Sequence, residues 1–181
     1  GSVVSSDLDA DGDPDLLFHD VDGFPQVFEN QGGTFSAVPV GHDVRGRWGR
    51  TPLAFSAVDL DGDALPEVIV SGANLLLVAP NLGGLQFGEF EAIWDEPAYP
   101  RACFNSMAWG DVDADGDLDL YLPAIDQVAD ADDQSSWTEL QDFAGPGTHD
   151  LLFLREGEAW AEPVPMAAGL DGTPGLSILA F

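Results

Sequence analysis

Short apolar runs alternate with clusters of glycine, aspartate and proline along most of the chain. Val3-Val4, Leu16-Leu17-Phe18, Gln26-Val27-Phe28 and the stretch 34–38 follow one another, each closed by turn-forming residues. Runs this short, bounded by turn formers and rich in β-branched and aromatic side chains, predict strands rather than helices. Four of them make a unit, labelled A to D in order. The scheme then returns with A near 55–58, B at 67–70, C at 74–78 and D at 85–93. A third unit has A at 107–109, B at 118–122, C at 151–154 and D at 159–164. Between its B and C an insert, 124–149, carries Ser136-Trp137-Thr138-Glu139, a capping-box spacing that predicts a short helix.

One polar pattern joins A to B in every unit. Asp111-Val112-Asp113-Ala114-Asp115-Gly116-Asp117-Leu118-Asp119 is the fullest copy. Asp7 to Asp15 and Asp59 to Glu67 repeat it, so the first aspartates fall 52 residues apart, twice over. A fixed period near 50 signals stacked units such as propeller blades. The expected fold class is therefore all-β: a β-propeller segment of about three four-stranded blades in an incomplete ring. The whole chain, 1–181, is one such segment with units at 1–51, 52–104 and 105–174. Its last residues, GLSILAF at 175–181, match the strand that precedes each acidic loop and predict the first strand of a further blade. Closing a propeller takes roughly four to eight blades. The remaining blades are expected in the same longer chain, with a homo-oligomer as the alternative.

Alternating carboxylates around a single small residue suit a hard cation. Calcium takes 6–8 oxygen ligands at about 2.3–2.6 Å, whereas magnesium keeps its water and rarely sits in an all-protein cage. Loop positions 1, 3 and 5 offer side chains, position 7 a carbonyl and position 9 a further carboxylate. No cysteine or histidine lies inside any loop, which excludes soft metals. An EF-hand would need an acidic residue at position 12, where this chain has Phe18, Val70 and Leu122. The calcium-sensor reading fails with it.

The D-x-D-x-D-G-x-x-D loop between two strands, at this period, resembles the FG-GAP/VCBS repeats of β-propellers, including those of integrin α-subunits. The resemblance implies about three calcium ions. It implies Asp7, Asp9, Asp11 and Asp15 as ligands, with Asp13 through its carbonyl. In the second unit it implies Asp59, Asp61, Asp63, Glu67 and the Leu65 carbonyl. In the third it implies Asp111, Asp113, Asp115, Asp119 and the Asp117 carbonyl. The second copy departs from the pattern, with Ala64 at the usual glycine position. If that position is left-handed, alanine costs roughly 1 kcal/mol more than glycine, which makes this site the weakest expected. Calcium use and the resemblance together imply an extracellular, periplasmic or cell-surface location.

Charge narrows the partners. The formal net charge is -28, and the three loops hold five, four and five of the 33 acidic residues. Such a field repels nucleic acid and anionic membrane surfaces. No apolar run approaches the roughly 20 residues of a membrane-spanning helix, so membrane insertion is not expected. Cys103 is the only cysteine, which rules out an internal disulfide.

If the strands alternate in direction, the acidic loops share one end of the blades and the D–A connections share the other. The latter collect Arg45, Arg47, Arg50 and Arg101, with Trp48, Trp94, Tyr99 and, from the insert, Trp137. Arginine and aromatic enrichment marks interaction surfaces, so these eight form the expected ligand face. No catalytic constellation stands out: His19, His42 and His149 sit in different loops, and no nucleophile has a recognisable setting. The leading reading is a calcium-stabilised binding or adhesion module for a protein or glycan ligand. The alternatives are part of a polysaccharide lyase built on a related propeller, and a passive scaffold in a larger surface protein.

Overall fold

A computed structural model describes residues 3–19, 25–40, 52–72, 75–95, 102–104, 106–126 and 150–166. No helix occurs among them. Three four-stranded antiparallel sheets follow one another along the chain. The first holds β1 (Val3–Ser6), β2 (Asp15–His19), β3 (Pro25–Gln31) and β4 (Thr34–Pro39) in sequence order. The second holds β5 (Pro52–Val58), β6 (Glu67–Gly72), β7 (Leu75–Ala79) and β8 (Glu91–Asp95), again in order. None closes into a barrel. The all-β expectation, with blades rather than a closed sheet, is what the strand order gives.

The third sheet is interrupted. A separate pair, β9 (Ala102–Phe104) with β12 (Ala124–Asp126), stands apart from the main sheet. That main sheet runs β10 (Ala108–Gly110), β11 (Asp119–Leu122), β13 (Asp150–Phe153) and β16 (Val164–Met166). A small hairpin, β14 (Arg155–Glu156) with β15 (Ala159–Trp160), turns at Gly157. In the second blade the corresponding inner pair is continuous from Pro52↔Gly72 to Val58↔Glu67, with one irregularity near Pro52. Pro123 separates β11 from β12; having no N–H, it cannot take part in a ladder as a donor.

The outer strand of the first unit falls where the sequence places it, at β4, but those of the second and third units do not. Strand D of the second unit was expected over 85–93, but β8 begins at Glu91. Residues 80–90 instead fold into a knot of turns, with Leu82 N–H donating to the Gln86 carbonyl (2.8 Å) and Gly88 N–H to that of Pro80 (2.8 Å). Leu85 and Phe87 alternate as a strand would, with Phe90 out of step, and all three drop into the core rather than along a strand. In the third unit, D was expected over 159–164. Residues 159–160 pair only with β14, and the outer strand is β16, beyond Pro163. The insert's capping box, Cys103's side chain and the terminal run 175–181 lie outside the residues described.

Period-2 alternation explains how the sheets stack. Along β6, Val68 and Val70 join Leu17, Val27 and Leu75 in a core between the first and second blades. Ile69 between them points the other way, into a core with Leu76, Phe104, Leu120, Leu122, Leu151 and Phe153 of the second–third junction. Every residue of β6 is buried, because the middle blade has a neighbour on each face. Outer strands show the converse: β4 is exposed over most of its length. Polar groups at the second junction are matched, with Ser71 Oγ donating to the Phe104 carbonyl (2.8 Å) and Trp109 Nε1 to Ser56 Oγ (3.0 Å).

Ile69→Ala is expected to cost about 2–5 kcal/mol, since it empties a closed site between two sheets. Val164→Ala, at an exposed position, should stay within about 0.5 kcal/mol. Matched denaturant melts of the two variants check the difference; equal losses would show that the second junction is not a packed core.

Candidate metal centre

Each acidic loop opens where an inner strand ends and closes where the next begins, so its nine positions are pinned at both ends by sheet pairing. The last cross-strand partners are Ser6↔Asp15, Val58↔Glu67 and Gly110↔Asp119. Between them the chain folds back on its own carboxylates. Asp7 accepts from Asp11 N–H (3.1 Å) and Gly12 N–H (3.0 Å), and Asp11 accepts from Asp13 N–H (2.8 Å). The third loop repeats this, with Asp111 accepting from Asp115 and Gly116 (both 3.1 Å) and Asp115 from Asp117 (2.9 Å). In the second, Asp59 accepts from Gly62 (2.8 Å) and Ala64 (3.0 Å), and Asp63 from Leu65 (2.8 Å). Backbone amides thus converge on acidic side chains and hold them inward.

Three clusters of oxygen atoms result. Asp7, Asp9 and Asp15 bring one carboxylate oxygen each within 4.8 Å of the others; so do Asp59, Asp61 and Glu67, and so do Asp111, Asp113 and Asp115. Oxygens bound to one ion at about 2.4 Å can lie no more than about 4.8 Å apart, so each cluster fits a calcium-sized shell. The donor set is oxygen throughout, which suits a hard cation. Asp11, Asp63 and Asp119 stand outside these triads. Asp13 and Asp117 turn their side chains away, accepting from Gly32 N–H (2.8 Å) and Gly157 N–H (2.6 Å) at the corner between the two outer strands.

Crowding shows in the acidities. Asp9, Glu67 and Asp113 are all raised above the ordinary carboxylate range, first by desolvation. Neighbouring carboxylates add to it: Asp11, Asp15 and Asp7 around Asp9, Asp61 and Asp63 around Glu67, and Asp115, Asp119 and Asp111 around Asp113. On β11 of the third blade, desolvation pushes the Tyr121 phenol up to about 12, helped by the hydrogen bond that it donates to Asp150.

The ninth position is the deepest. Asp15 and Asp119 are fully buried and Glu67 nearly so. Asp15 accepts from Leu8 N–H (3.0 Å) and Asn30 N–H (2.8 Å); Asp119 accepts from Val112 N–H (2.7 Å) and Arg155 N–H (3.0 Å). Glu67 accepts from Leu60 N–H (2.8 Å). A buried carboxylate is tolerable only with such donors. These bonds tie the acidic loop to the corner of the two outer strands, so loop and corner share one end of each blade.

That corner holds the residues sequence reasoning missed. Asn30 Nδ2 donates to the Pro14 carbonyl (3.0 Å) while its Oδ1 accepts from Gly33 N–H (2.8 Å). Asn81 does the same with Pro66 (3.1 Å) and Gly83 (3.0 Å), and also donates to the Leu8 carbonyl of the preceding blade (2.8 Å). Arg155 stands at the corresponding corner of the third blade. The only local signal was a recurring asparagine two or three residues before a glycine, and it reads as an ordinary turn.

Backbone conformation revises the expectation for Ala64. It is left-handed, with φ of 72°. So is Gly62, at the fourth loop position, with φ of 81°, where the other loops carry Ala10 (62°) and Ala114 (63°). Each loop therefore has two left-handed positions, one filled by glycine and one by alanine. The second loop has exchanged them rather than lost its glycine, and the reason for ranking it weakest on backbone strain disappears.

Of the eight residues expected on a ligand face, Arg45, Arg47, Trp48, Arg50, Tyr99, Arg101 and Trp137 lie outside the described residues. Trp94 is described. Its ring meets Phe104 and Phe153 edge-on, with centroids at 5.7 and 6.1 Å, inside the second junction.

The residue pattern, the loops and the stacked sheets converge on one assignment. A model of the FG-GAP-like repeat matches residues 7–70 and again 59–122, together more than half of the chain. The protein belongs to the FG-GAP repeat family. Each match runs from the first aspartate of one loop through strand B of the next unit, so it spans one whole period and the acidic loops at both its ends. Among curated proteins no relative matches. With its family and its stacked sheets, the FG-GAP chain is a β-propeller-like module with oxygen clusters placed for metal.

Two outcomes check this geometry. Ala64→Gly should stabilise by about 1 kcal/mol by relieving a left-handed alanine, and Gly62→Ala should destabilise by a similar amount; melts at one fixed metal concentration read both signs. In chelated protein, Asp9, Glu67 and Asp113 bind protons more readily folded than unfolded, so their contribution is largest below the unfolded values and is lost as pH rises through the raised ones. The melting temperature in excess chelator should accordingly fall as pH rises from about 4 toward neutrality, as far as these groups govern it. A chelated melt that is flat over that range would contradict the crowding.

Proposed function

We propose that this FG-GAP protein is a calcium-stabilised β-propeller module that serves extracellular binding or adhesion. The observation carrying the calcium part is the three all-oxygen clusters, each compact enough to share one ion. Asp7, Asp9 and Asp15 would hold the first ion, Asp59, Asp61 and Glu67 the second, and Asp111, Asp113 and Asp115 the third. Asp11, Asp63 and Asp119 stand within the same loops as further donors. Calcium would supply charge neutralisation: it offsets the repulsion among carboxylates that the fold holds together, and its binding energy adds to folding energy.

The extracellular, periplasmic or cell-surface setting is part of the proposal, since calcium-binding modules of roughly 10⁻⁴–10⁻³ M affinity work outside the cell. The binding part rests on chain connectivity. β4 ends, β5 begins and β8 ends at the end of the blades opposite the acidic loops, and in sequence 41–51 lies between β4 and β5 while 96–101 follows β8. Those connections carry Arg45, Arg47, Trp48, Arg50, Tyr99 and Arg101. A protein segment or glycan with acidic groups is the ligand chemistry such a set favours within an otherwise negative field.

Removing calcium with a chelator should lower the melting temperature by well over 10 °C, and adding it back should restore the original curve. With metal-free protein verified, an unchanged melt would refute the calcium reading. In a screen against acidic glycans and acidic peptides, Arg47→Ala and Trp48→Ala should weaken a detected interaction roughly tenfold or more while leaving the calcium-dependent melt in place. Wild-type binding by both variants would remove the ligand face.

A further inference from the structure

The corner between the outer strands does more than support its own loop. At the first junction, Asn81 reaches back to the carbonyl of Leu8, the second residue of the preceding blade's acidic loop. At the second junction, Arg155 Nη1 donates to the carbonyl of Leu60, the second residue of its preceding loop (2.5 Å). The geometry is the same and the chemistry is not. Asn81 is neutral, whereas Arg155 is a guanidinium and carries a positive charge. Only 6% of Arg155 is exposed, so water does little to screen it. Its hydrogen bond goes to a peptide carbonyl flanked by Asp59 and Asp61, two of the oxygen donors of the second cluster. That same Leu60 donates its N–H to Glu67, the third donor.

We propose that the corner residue of each following blade sets the cation affinity of the loop behind it, and that Arg155 weakens the second site for divalent ions relative to a neutral residue there. This rests on the calcium reading above. A fixed positive charge against the peptide that links two metal-binding side chains opposes a second positive charge arriving among them. Asn81 supplies the same support to the first loop without that opposition. The second site therefore differs from the first in electrostatics, not in backbone strain. Arg155 touches no donor oxygen of the cluster through its side-chain hydrogen bond; it acts on the ion through space and through the Leu60 carbonyl.

A calcium titration of the full chain followed by amide NMR separates the sites. The Gly12, Gly62 and Gly116 amides report the first, second and third loops individually. In low salt, Arg155→Gln should tighten the midpoint read at Gly62 about fivefold, the scale of one unit charge against a divalent ion within a Debye length. Gly12 and Gly116 should keep their midpoints. Arg155→Lys, which retains the charge, should titrate as wild type. A merely structural role predicts the opposite sign, a weaker second site in both variants. If Arg155→Gln is poorly folded, Arg155→Met, of similar length and uncharged, takes its place with the same expectation. Calcium binding at all three loops with no charge dependence at Gly62 overturns this proposal alone. No calcium-induced shift at any of the three amides overturns the calcium reading and this proposal with it.

Discussion

Everything in this molecule is arranged around carboxylates held closer together than they would choose. Three oxygens within 4.8 Å, in three separate loops, carry a repulsion that the sheets alone do not remove. Backbone amides answer part of it. The chain spends its N–H groups on Asp7, Asp59 and Asp111, and on the buried carboxylates at the ninth position, rather than on regular secondary structure. What the amides leave unanswered is a net negative charge in each loop, which a divalent cation would neutralise. Loop, inner strands and outer corner are consequently one mechanical unit, because the buried carboxylate bonds to the loop and to the corner at once.

The stacking of blades follows from a second, simpler constraint. A four-stranded meander with apolar residues on both faces of its central strands cannot stand alone in water. Val68 and Val70 need the first blade and Ile69 needs the third. The exposed outer strands mark where the stack meets solvent. Fold and metal chemistry are thereby coupled: Leu8, the second residue of the first loop, is itself a core residue of the first junction. A disturbance in that loop is felt in the packing between blades.

How much of this could be read from the sequence depends on distance along the chain. The inner strands were legible because β-branched and aromatic runs are local signals, and the loops because carboxylates on alternate residues have few other uses. The outer strand of the first unit was legible as well, but that of the second was not, since Leu85 and Phe87 alternate like a strand while serving, with Phe90, as plugs beneath a knot of turns. Pro163 displaced the last strand of the third blade in a way that pattern alone weighs too lightly. Asn81 and Arg155 were invisible for a different reason. Their partners lie 73 and 95 residues away, and no window along the chain contains both ends of either bond. Ala64 was a partial success: its left-handed backbone was foreseeable, but the compensating glycine at Gly62 had meaning only once the fourth position was seen to need one too.

Those long-range bonds also bear on the order in which the molecule is made. The first two blades close through hairpins between strands adjacent in sequence, whereas the bonds from Asn81 and Arg155 each wait for two blades to exist. Closing a long loop costs entropy before any contact rewards it. The blades should consequently form early and separately, with the junctions registering late; φ-values near zero at Asn81 and Arg155, beside higher ones in the B–C hairpins, would be the kinetic signature of that sequence. On a ribosome the first blade then has time to fold before the second is complete, and each new blade settles against a template already in place.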